Sequence, residues 1–342
     1  MLSKLPVEYQ LSPTNNRVRF LDSDGTLYGF EVAESRNLVK SNDWGATWSA
    51  VYTFESGIEQ VGKAKENLVV ALSGGKIFCS QDEGTTFTET FQMTQGSAFR
   101  DFGFHTYDKI VLVGSYGSNL SPEVYLSKDC GETWNTILQL PEQYTHIHDV
   151  KFDPYEHLVW VTTGDGGPDD MIFWSDDYGK NWRKLENKIF MRTTQVMPLA
   201  ECVLFGSDEY EEQSIYKHVR PKRGTWGVEV KPEKVFFPKK DFPGNNMTWA
   251  TNAAITYGEE SKAYFGFVQS RHNVRVPSVV WETDGIRFRP IWIEEKLPES
   301  DTLSSVGIGG VWGPDENGHL AVDLLSERDG FSHHLLKIKL TQ

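Results

Sequence analysis

The chain has 342 residues, of which 39% are hydrophobic and 13% aromatic, and its formal net charge is −14. Because a nucleic-acid-binding protein needs clustered Lys and Arg and here 48 acidic residues outnumber 34 basic ones, we do not expect a nucleic-acid partner. No apolar run is long enough to predict a membrane-spanning helix. The cysteines Cys79, Cys130 and Cys202 are widely spaced without a CxxC motif, so we expect neither a disulfide framework nor a zinc site.

The N-terminal segment MLSKLPVEYQLSP lacks the apolar stretch of a secretory signal peptide. This favours a protein that is cytoplasmic or assembled into a particle such as a virion. An extracellular location is expected instead if a signal has been removed.

One octapeptide pattern, Ser-x-Asp-x-Gly-x-(Thr or Asn)-aromatic, occurs four times along the chain. The copies are SNDWGATW at 41–48, SQDEGTTF at 80–87, SKDCGETW at 127–134 and SDDYGKNW at 175–182. Their first serines are 39, 47 and 48 residues apart, and periods of roughly 20–50 residues indicate a repeat architecture. Each copy lies between two short strand-like runs, with further apolar runs upstream. Each repeat therefore predicts a four-stranded blade of a β-propeller.

We predict an all-β protein with a single β-propeller domain over residues 1–342, built from four-stranded antiparallel blades. The blades are expected near residues 17–54, 57–92, 97–140, 145–189, 192–232, 247–293 and 303–340. Degenerate copies of the octapeptide at 214–226 and 279–292 support the fifth and sixth blades. The segment VEYQLS at 7–12 would complete the last blade and lock the ring. Seven blades are preferred, with six as the alternative.

The octapeptide has a structural role in this arrangement, as a tight hairpin between the third and fourth strands. Its Asp accepts hydrogen bonds from backbone N–H groups of the turn, and its Gly permits a positive φ. The final aromatic ring fills the space between neighbouring sheets. These structural residues are Asp43 and Trp48, Asp82 and Phe87, Asp129 and Trp134, and Asp177 and Trp182.

Through Ser41, Asp43, Gly45, Thr47 and Trp48 and their equivalents, the pattern resembles the Asp-box, or BNR repeat, of the sialidase-like β-propeller superfamily. The resemblance covers most of the chain as repeats. It implies a ligand site on the face opposite the Asp-boxes, near the propeller axis. The Phe/Tyr-Arg-Ile-Pro motif with which true sialidases open is absent near this N-terminus, so sialidase activity is not expected. Seven-bladed relatives include glycoside hydrolases, polysaccharide lyases and non-catalytic binding or assembly proteins.

The opposite face would carry the loops that join second to third strands, and these are long and polar in blades three to seven. His146 and His148 are two residues apart on a predicted strand and should point to the same side. With Asp165 or Asp169 they could bind a divalent metal or act as acid and base. Alternatively, they pack in the core and hydrogen-bond the backbone. The candidate catalytic residues are His146, His148, Asp149, Asp165 and Arg100, the last because 100–113 aligns without a gap onto 148–161.

A second set of residues on this face is predicted to bind ligand. Its arginines suit the carboxylates of an acidic glycan, although they could instead pair with loop acids, and its aromatic rings could stack on sugars. The set comprises Tyr116, Arg192, Asp208, Tyr210, Trp249, Arg271, His272, Arg275 and Arg328.

The preferred hypothesis is a propeller that binds a carbohydrate or protein ligand without catalysis, for instance a surface or phage-virion receptor-binding protein. The alternative is a glycoside hydrolase or polysaccharide lyase that acts on an acidic glycan. A weaker third hypothesis is an intracellular assembly factor. A glycan or surface receptor is the expected partner. No cofactor is expected beyond the divalent metal considered at His146, His148 and Asp165.

Overall fold

The computed structural model describes residues 7–98, 103–117, 120–164, 171–185, 193–207, 214–220, 232–236, 247–250, 252–269, 278–294, 306–326 and 332–340. These residues form seven antiparallel sheets arranged as blades. Helical structure within them is limited to one 3-10 turn, Glu142–Tyr144. The predicted all-β propeller is confirmed, with seven blades rather than six. In the described ranges no helix is both long enough and apolar enough to span a membrane.

Strand β1 (Glu8–Thr14) precedes the first blade and belongs to the last one. The first blade is β2 (Asn16–Leu21), β3 (Leu27–Glu31), β4 (Asn37–Ser41) and β5 (Ser49–Thr53). The second is β6 (Ile58–Ala64), β7 (Asn67–Leu72), β8 (Lys76–Ser80) and β9 (Thr88–Gln92). The third has a divided innermost strand, β10 (Ser97–Ala98) and β11 (Phe104–Tyr107), then β12 (Ile110–Tyr116), β13 (Glu123–Ser127) and β14 (Asn135–Gln139).

The fourth blade is β15 (His146–Asp153), β16 (Leu158–Gly164), β17 (Ile172–Ser175) and β18 (Arg183–Lys184). The fifth is β19 (Thr193–Pro198), β20 (Cys202–Ser207), β21 (Ile215–Val219) and β22 (Glu233–Phe236). The sixth again divides its innermost strand, β23 (Met247–Ala250) and β24 (Ala254–Thr256), before β25 (Lys262–Gln269), β26 (Val279–Thr283) and β27 (Phe288–Ile293). The seventh is β28 (Val306–Trp312), β29 (His319–Ser326) and β30 (Ser332–Lys339).

The N-terminal strand closes the ring. β1 pairs antiparallel with β30 in continuous register from Glu8 opposite Lys339 to Thr14 opposite His333. The last blade therefore combines three strands from the end of the chain with one from its beginning, in the order β28, β29, β30, β1. This confirms the prediction that the N-terminal strand completes the last blade.

The blades define two faces and an inter-blade core. Within a blade the first and third strands run in the same direction, because each is antiparallel to the second. The octapeptide turns therefore share one face, here called the octapeptide face, with the turns between first and second strands. Apolar side chains fill the space between consecutive sheets, and the largest fully buried ones include Trp160, Trp281 and Phe205. Cys79 and Cys202 lie in this core as small apolar residues.

The octapeptide turns have the same hydrogen bonds in all four copies. In the first, Ser41 Oγ donates to Asp43 Oδ1 at 2.8 Å and accepts the Gly45 N–H at 2.8 Å, while Asp43 Oδ1 accepts the Thr47 N–H at 2.9 Å. The residue before each glycine also has a positive φ, between 57° and 64°; these residues are Trp44, Glu83, Cys130 and Tyr178. Their left-handed conformation is costly for a non-glycine residue, so the serine and aspartate bonds must hold it.

Each octapeptide turn also contacts the preceding blade. The outermost strands β5, β9 and β14 carry β-bulges whose extra residues are Val51, Thr90 and Ile137. A Cβ on Gly179 would lie 2.5 Å from Ile137, so the turn can approach this closely only with glycine. Trp182 Nε1 donates to the Ile137 carbonyl oxygen at 2.8 Å, and Trp134 Nε1 donates to Thr90 Oγ1 at 3.2 Å. The bulge residue of each of these strands therefore packs against the octapeptide turn of the next blade.

Candidate ligand-binding mouth of the central channel

The innermost strands surround a central channel, and their bulges decide which side chains enter it. Six of these strands, β23 among them, carry a one-residue register shift against the second strand. In the other five the extra residues are Arg19, Glu59, His148, Thr194 and Gly309. A bulge increases the local twist and re-aims the neighbouring side chains. The position of His148 therefore depends on the bulge in β15, which simple strand alternation from His146 does not predict.

Three rings come together where β15 begins, on the face opposite the octapeptide turns. The ring centroids of His146 and His148 are 4.9 Å apart, and those of Tyr116 and His146 are 4.2 Å apart. Tyr116 ends β12 of the third blade, so the cluster spans two blades. His146 and His148 are 7% and 4% exposed, whereas Tyr116 is half-buried. We call Tyr116, His146 and His148 the ring cluster.

Backbone features next to the ring cluster hold it in place. Thr145, directly before His146, has φ 57°, which is unfavourable for a β-branched residue. Its hydroxyl donates to the Gly164 carbonyl oxygen. A Cβ on Gly164 would meet His148 Cε1 at 1.7 Å, so the imidazole packs directly on this glycine. Strained backbone of this kind concentrates at functional sites.

Asp149, a candidate catalytic residue, lies in the contact between blades four and five. Its carboxylate accepts the backbone N–H groups of Val150 at 2.9 Å and Val196 at 2.8 Å. Lys151 Nζ lies 3.3 Å from it. The side chain is 2% exposed, and this burial raises its pKa although Lys151 opposes the shift. The geometry is that of a structural carboxylate between two blades.

Most other predicted site residues lie outside the described residues and stay predictions. They are Arg100, Asp165, Asp169, Arg192, Asp208, Tyr210, Arg271, His272, Arg275 and Arg328. For Trp249 only the backbone, in β23, is described. Within the described ranges, no group of three His, Cys, Asp or Glu side chains could hold a metal ion.

The gapless alignment of blades three and four holds in their second strands but not in their first. Phe104 pairs with Val113, whereas Phe152 pairs with Val159, which the alignment matches to Val111. The reason is the turn between first and second strands, which spans two residues in blade three and four in blade four. The alignment of Phe104 with Phe152 is therefore wrong.

A second mouth of the channel lies on the octapeptide face and holds a cavity of about 290 Å³. Its lining includes Arg19, Gln60, His105, Lys151 and Tyr257. Burial, together with the charge of Lys151, holds the pKa of His105 well below its usual value, so its imidazole is neutral near pH 7. None of these residues was among the predicted site residues. The available signal was the strand alternation that puts Lys151 on the same side as Asp149.

A hydrogen-bonded Tyr–Glu pair, Tyr125 and Glu123, lies between blades two and three. The Tyr125 hydroxyl donates to Glu123 Oε2, and the Tyr125 ring packs 5.0 Å from Phe91. Tyr125 is 0% exposed, and burial raises its pKa to about 12. A substrate at either mouth of the channel would not reach this phenol.

No protein-family model matches the chain. A xyloglucanase of Hypocrea jecorina (strain QM6a) is 26% identical over 190 residues, which cover 43% of this chain and 22% of that enzyme. The match thus spans about a fifth of the relative's length.

Among solved structures, YCF48 from Cyanidioschyzon merolae has a TM-score of 0.61 at 11% identity, covering 97% of this chain and 98% of that one. A structure of YCF48 bound to D1 peptide has a TM-score of 0.62 at 8% identity and covers 100% of both chains. A Niastella koreensis GH74 enzyme has a TM-score of 0.59 at 13% identity, covering 95% of this chain and 54% of that one. At these identities the likeness is one of fold, that of a β-propeller.

Proposed function

We propose that this chain is a ligand-binding propeller of the Asp-box type that takes a glycan at the mouth opposite the octapeptide turns. The observation that carries the proposal is the ring cluster. Tyr116, His146 and His148 meet across two blades beside the strained Thr145. Ligand sites of proteins combine aromatic surface with a few placed polar groups, and this mouth offers both.

The chemistry of the ring cluster suits a sugar better than a charged ligand. A tyrosine face packs against the C–H groups of a pyranose, and imidazole nitrogens can donate to or accept from its hydroxyls. The similarity to a xyloglucanase and to a GH74 enzyme supports a carbohydrate ligand. If the predicted loop arginines line the same mouth, an acidic glycan is expected to bind more tightly than its neutral counterpart.

Binding without catalysis is favoured by the hydrogen bonds and the ion pair that occupy the Asp149 carboxylate next to His148. Glycoside hydrolysis generally needs two carboxyl groups flanking the scissile bond. Asp149 is instead bonded to two backbone N–H groups and lies beside Lys151. The enzyme alternative, which the xyloglucanase similarity favours, would require Asp165 as general acid together with a further carboxylate.

A glycan panel of neutral β-glucans and uronic-acid polymers tests the proposal, followed by titration calorimetry with the best-bound oligosaccharide. We expect His146→Asn to weaken binding by at least about tenfold, because truncating a hot-spot residue at the centre of a binding site costs about 2 kcal/mol or more. The matched control is His157→Asn, because His157 is an exposed histidine in a turn on the octapeptide face. Equal affinities of the two variants would contradict the site. Release of shortened glycan by the unmodified protein would establish the enzyme alternative.

A further inference from the structure

The junction where the ring closes differs from the regular junctions between blades. In each of β5, β9 and β14, a bulge residue contacts the octapeptide turn of the following blade. The corresponding outermost strand of the last blade is β1, which pairs with β30 without any register shift. No extra residue is therefore turned towards the first blade. The difference follows from the origin of β1, which is not joined to its neighbour by a hairpin.

The first octapeptide turn lacks the partner that its equivalents have. The atom that would crowd a Cβ on Gly45 is Leu335 Cδ2 of β30, at 2.9 Å. Trp48 Nε1 is buried but has no hydrogen-bond partner in the described structure. Trp134 and Trp182 use the same nitrogen to bond a bulge residue of the preceding blade. A buried N–H without an acceptor costs free energy, so this position is open to a group that supplies one.

A groove of about 890 Å³ lies at this junction. Its lining includes Pro13 and Val32 as apolar surface, with Gly45 and Trp48 from the octapeptide turn. Glu31 and His333 are its ionisable residues among those described. The groove thus lies where the regular junctions hold a bulge residue.

We propose that this groove binds an extended peptide segment of another protein, with a branched aliphatic residue next to a basic one. The aliphatic side chain would occupy the position that Val51 and Ile137 fill at the regular junctions. The carbonyl oxygen of that residue would accept the Trp48 Nε1–H, as the Ile137 carbonyl accepts that of Trp182. Glu31 would attract the basic residue. This site is separate from the ring cluster and does not depend on the glycan proposal.

The repeats themselves argue for a peptide rather than a sugar. At the regular junctions the group that meets the octapeptide turn is polypeptide, held by its backbone or by a β-branched side chain. Extended segments bind proteins in this manner through main-chain hydrogen bonds, with pockets that select side chains. The groove therefore has room for an extended polypeptide segment, and its unpaired Trp48 N–H could donate to the backbone of that segment.

The test follows the eleven indole N–H resonances of the full chain, with Trp48 assigned from its loss in Trp48→Phe. The probe is a synthetic peptide, Asn-Thr-Ile-Lys-Gln, which copies Asn135–Gln139 with lysine in place of Leu138, so that the Ile is next to a basic residue. We expect the Trp48 resonance to shift saturably and that of Trp182 to stay in place. A peptide with Asp in place of Ile is the negative probe. The proposal is overturned if about 1 mM of the Ile peptide leaves Trp48 unmoved, or if oligosaccharide alone moves it.

A labelled version of the same peptide, measured by fluorescence anisotropy, gives an independent readout. Trp48→Phe keeps an aromatic ring but removes the donor, and it should weaken binding about tenfold. Trp182→Phe removes the equivalent donor at a regular junction and should leave peptide binding unchanged. Equal weakening by both variants would contradict the groove. The glycan affinity of Trp48→Phe should be unaltered, which separates failure here from failure of the glycan proposal.

Discussion

The two mouths of the central channel differ in how the chain uses its own hydrogen-bonding groups. On the octapeptide face, the Tyr155 hydroxyl of blade four donates to the Gly258 carbonyl of blade six at 2.9 Å and accepts its N–H at 3.0 Å. Arg220 Nη1 lies 2.8 Å from Asp153 Oδ2 at the same end. At the opposite mouth, strained Thr145 leads into the ring cluster. Contacts between blades thus hold one end, whereas the other end carries the ring cluster.

The largest effect is expected from Gly179→Ala, which should lower the free energy of unfolding by about 3 kcal/mol. The added methyl would both strain a φ of 89° and meet Ile137 at 2.5 Å. Gly74→Ala is the matched control, because its φ is 91° but nothing lies within 4 Å of the new Cβ. The free energy of unfolding of Gly74→Ala should fall by only about 1 kcal/mol. Urea unfolding measures both, and equal losses would show that the close approach of neighbouring blades does not limit this turn.

A smaller loss of about 1–2 kcal/mol is expected from Tyr155→Phe, since it removes a hydroxyl that makes two hydrogen bonds to Gly258. Tyr107→Phe serves as the control, because its ring packs 5.0 Å from Tyr257 and no hydroxyl hydrogen bond holds it in the described structure. Thermal unfolding compares the two variants. Because the octapeptide face is assigned a structural role, neither change should alter glycan affinity at the opposite mouth. A weaker glycan affinity of Tyr155→Phe would contradict this structural role.

The smallest effect concerns acid stability. Hydrogen bonds from the Asn181 backbone and side chain lower the pKa of Asp177 from 3.8 to about 2. Its carboxylate therefore stabilises the fold above pH 4, roughly, and this contribution is lost as the pH falls towards 2. Asp177→Asn should flatten the fall of the unfolding midpoint across that window. Glu201→Gln also removes one acidic charge, from an exposed residue whose carboxylate has no ion pair or hydrogen bond in the described structure, and it should not flatten the fall. Identical acid profiles for the two variants would refute the role of the turn hydrogen bonds.

Local patterns predict the blades well because each blade repeats the same short-range chemistry. Asp43 bonds within its own octapeptide, so its role can be recognised from sequence. The closing strand was predictable because β1 must pair with an otherwise incomplete last blade.

Bulges at Arg19, Glu59 and His148 were not predictable, because a one-residue register shift depends on sheet twist and on the partner strand. The same holds for Asp149. Its sequence position beside His148 suggests catalysis, yet Val196 of the next blade binds its carboxylate. Contacts between blades determine the role of such a residue, and these contacts cannot be recognised from a local sequence pattern.

The most direct test follows the imidazole Cε1–H resonances of the nine histidines during titration with the best-bound glycan. His146 and His148 report on the mouth with the ring cluster, and His105 reports on the octapeptide mouth. We predict that the resonances of His146 and His148 shift with the binding isotherm while that of His105 stays in place. A shift of His105 with His146 and His148 unmoved would place the ligand at the octapeptide mouth and contradict the proposed function.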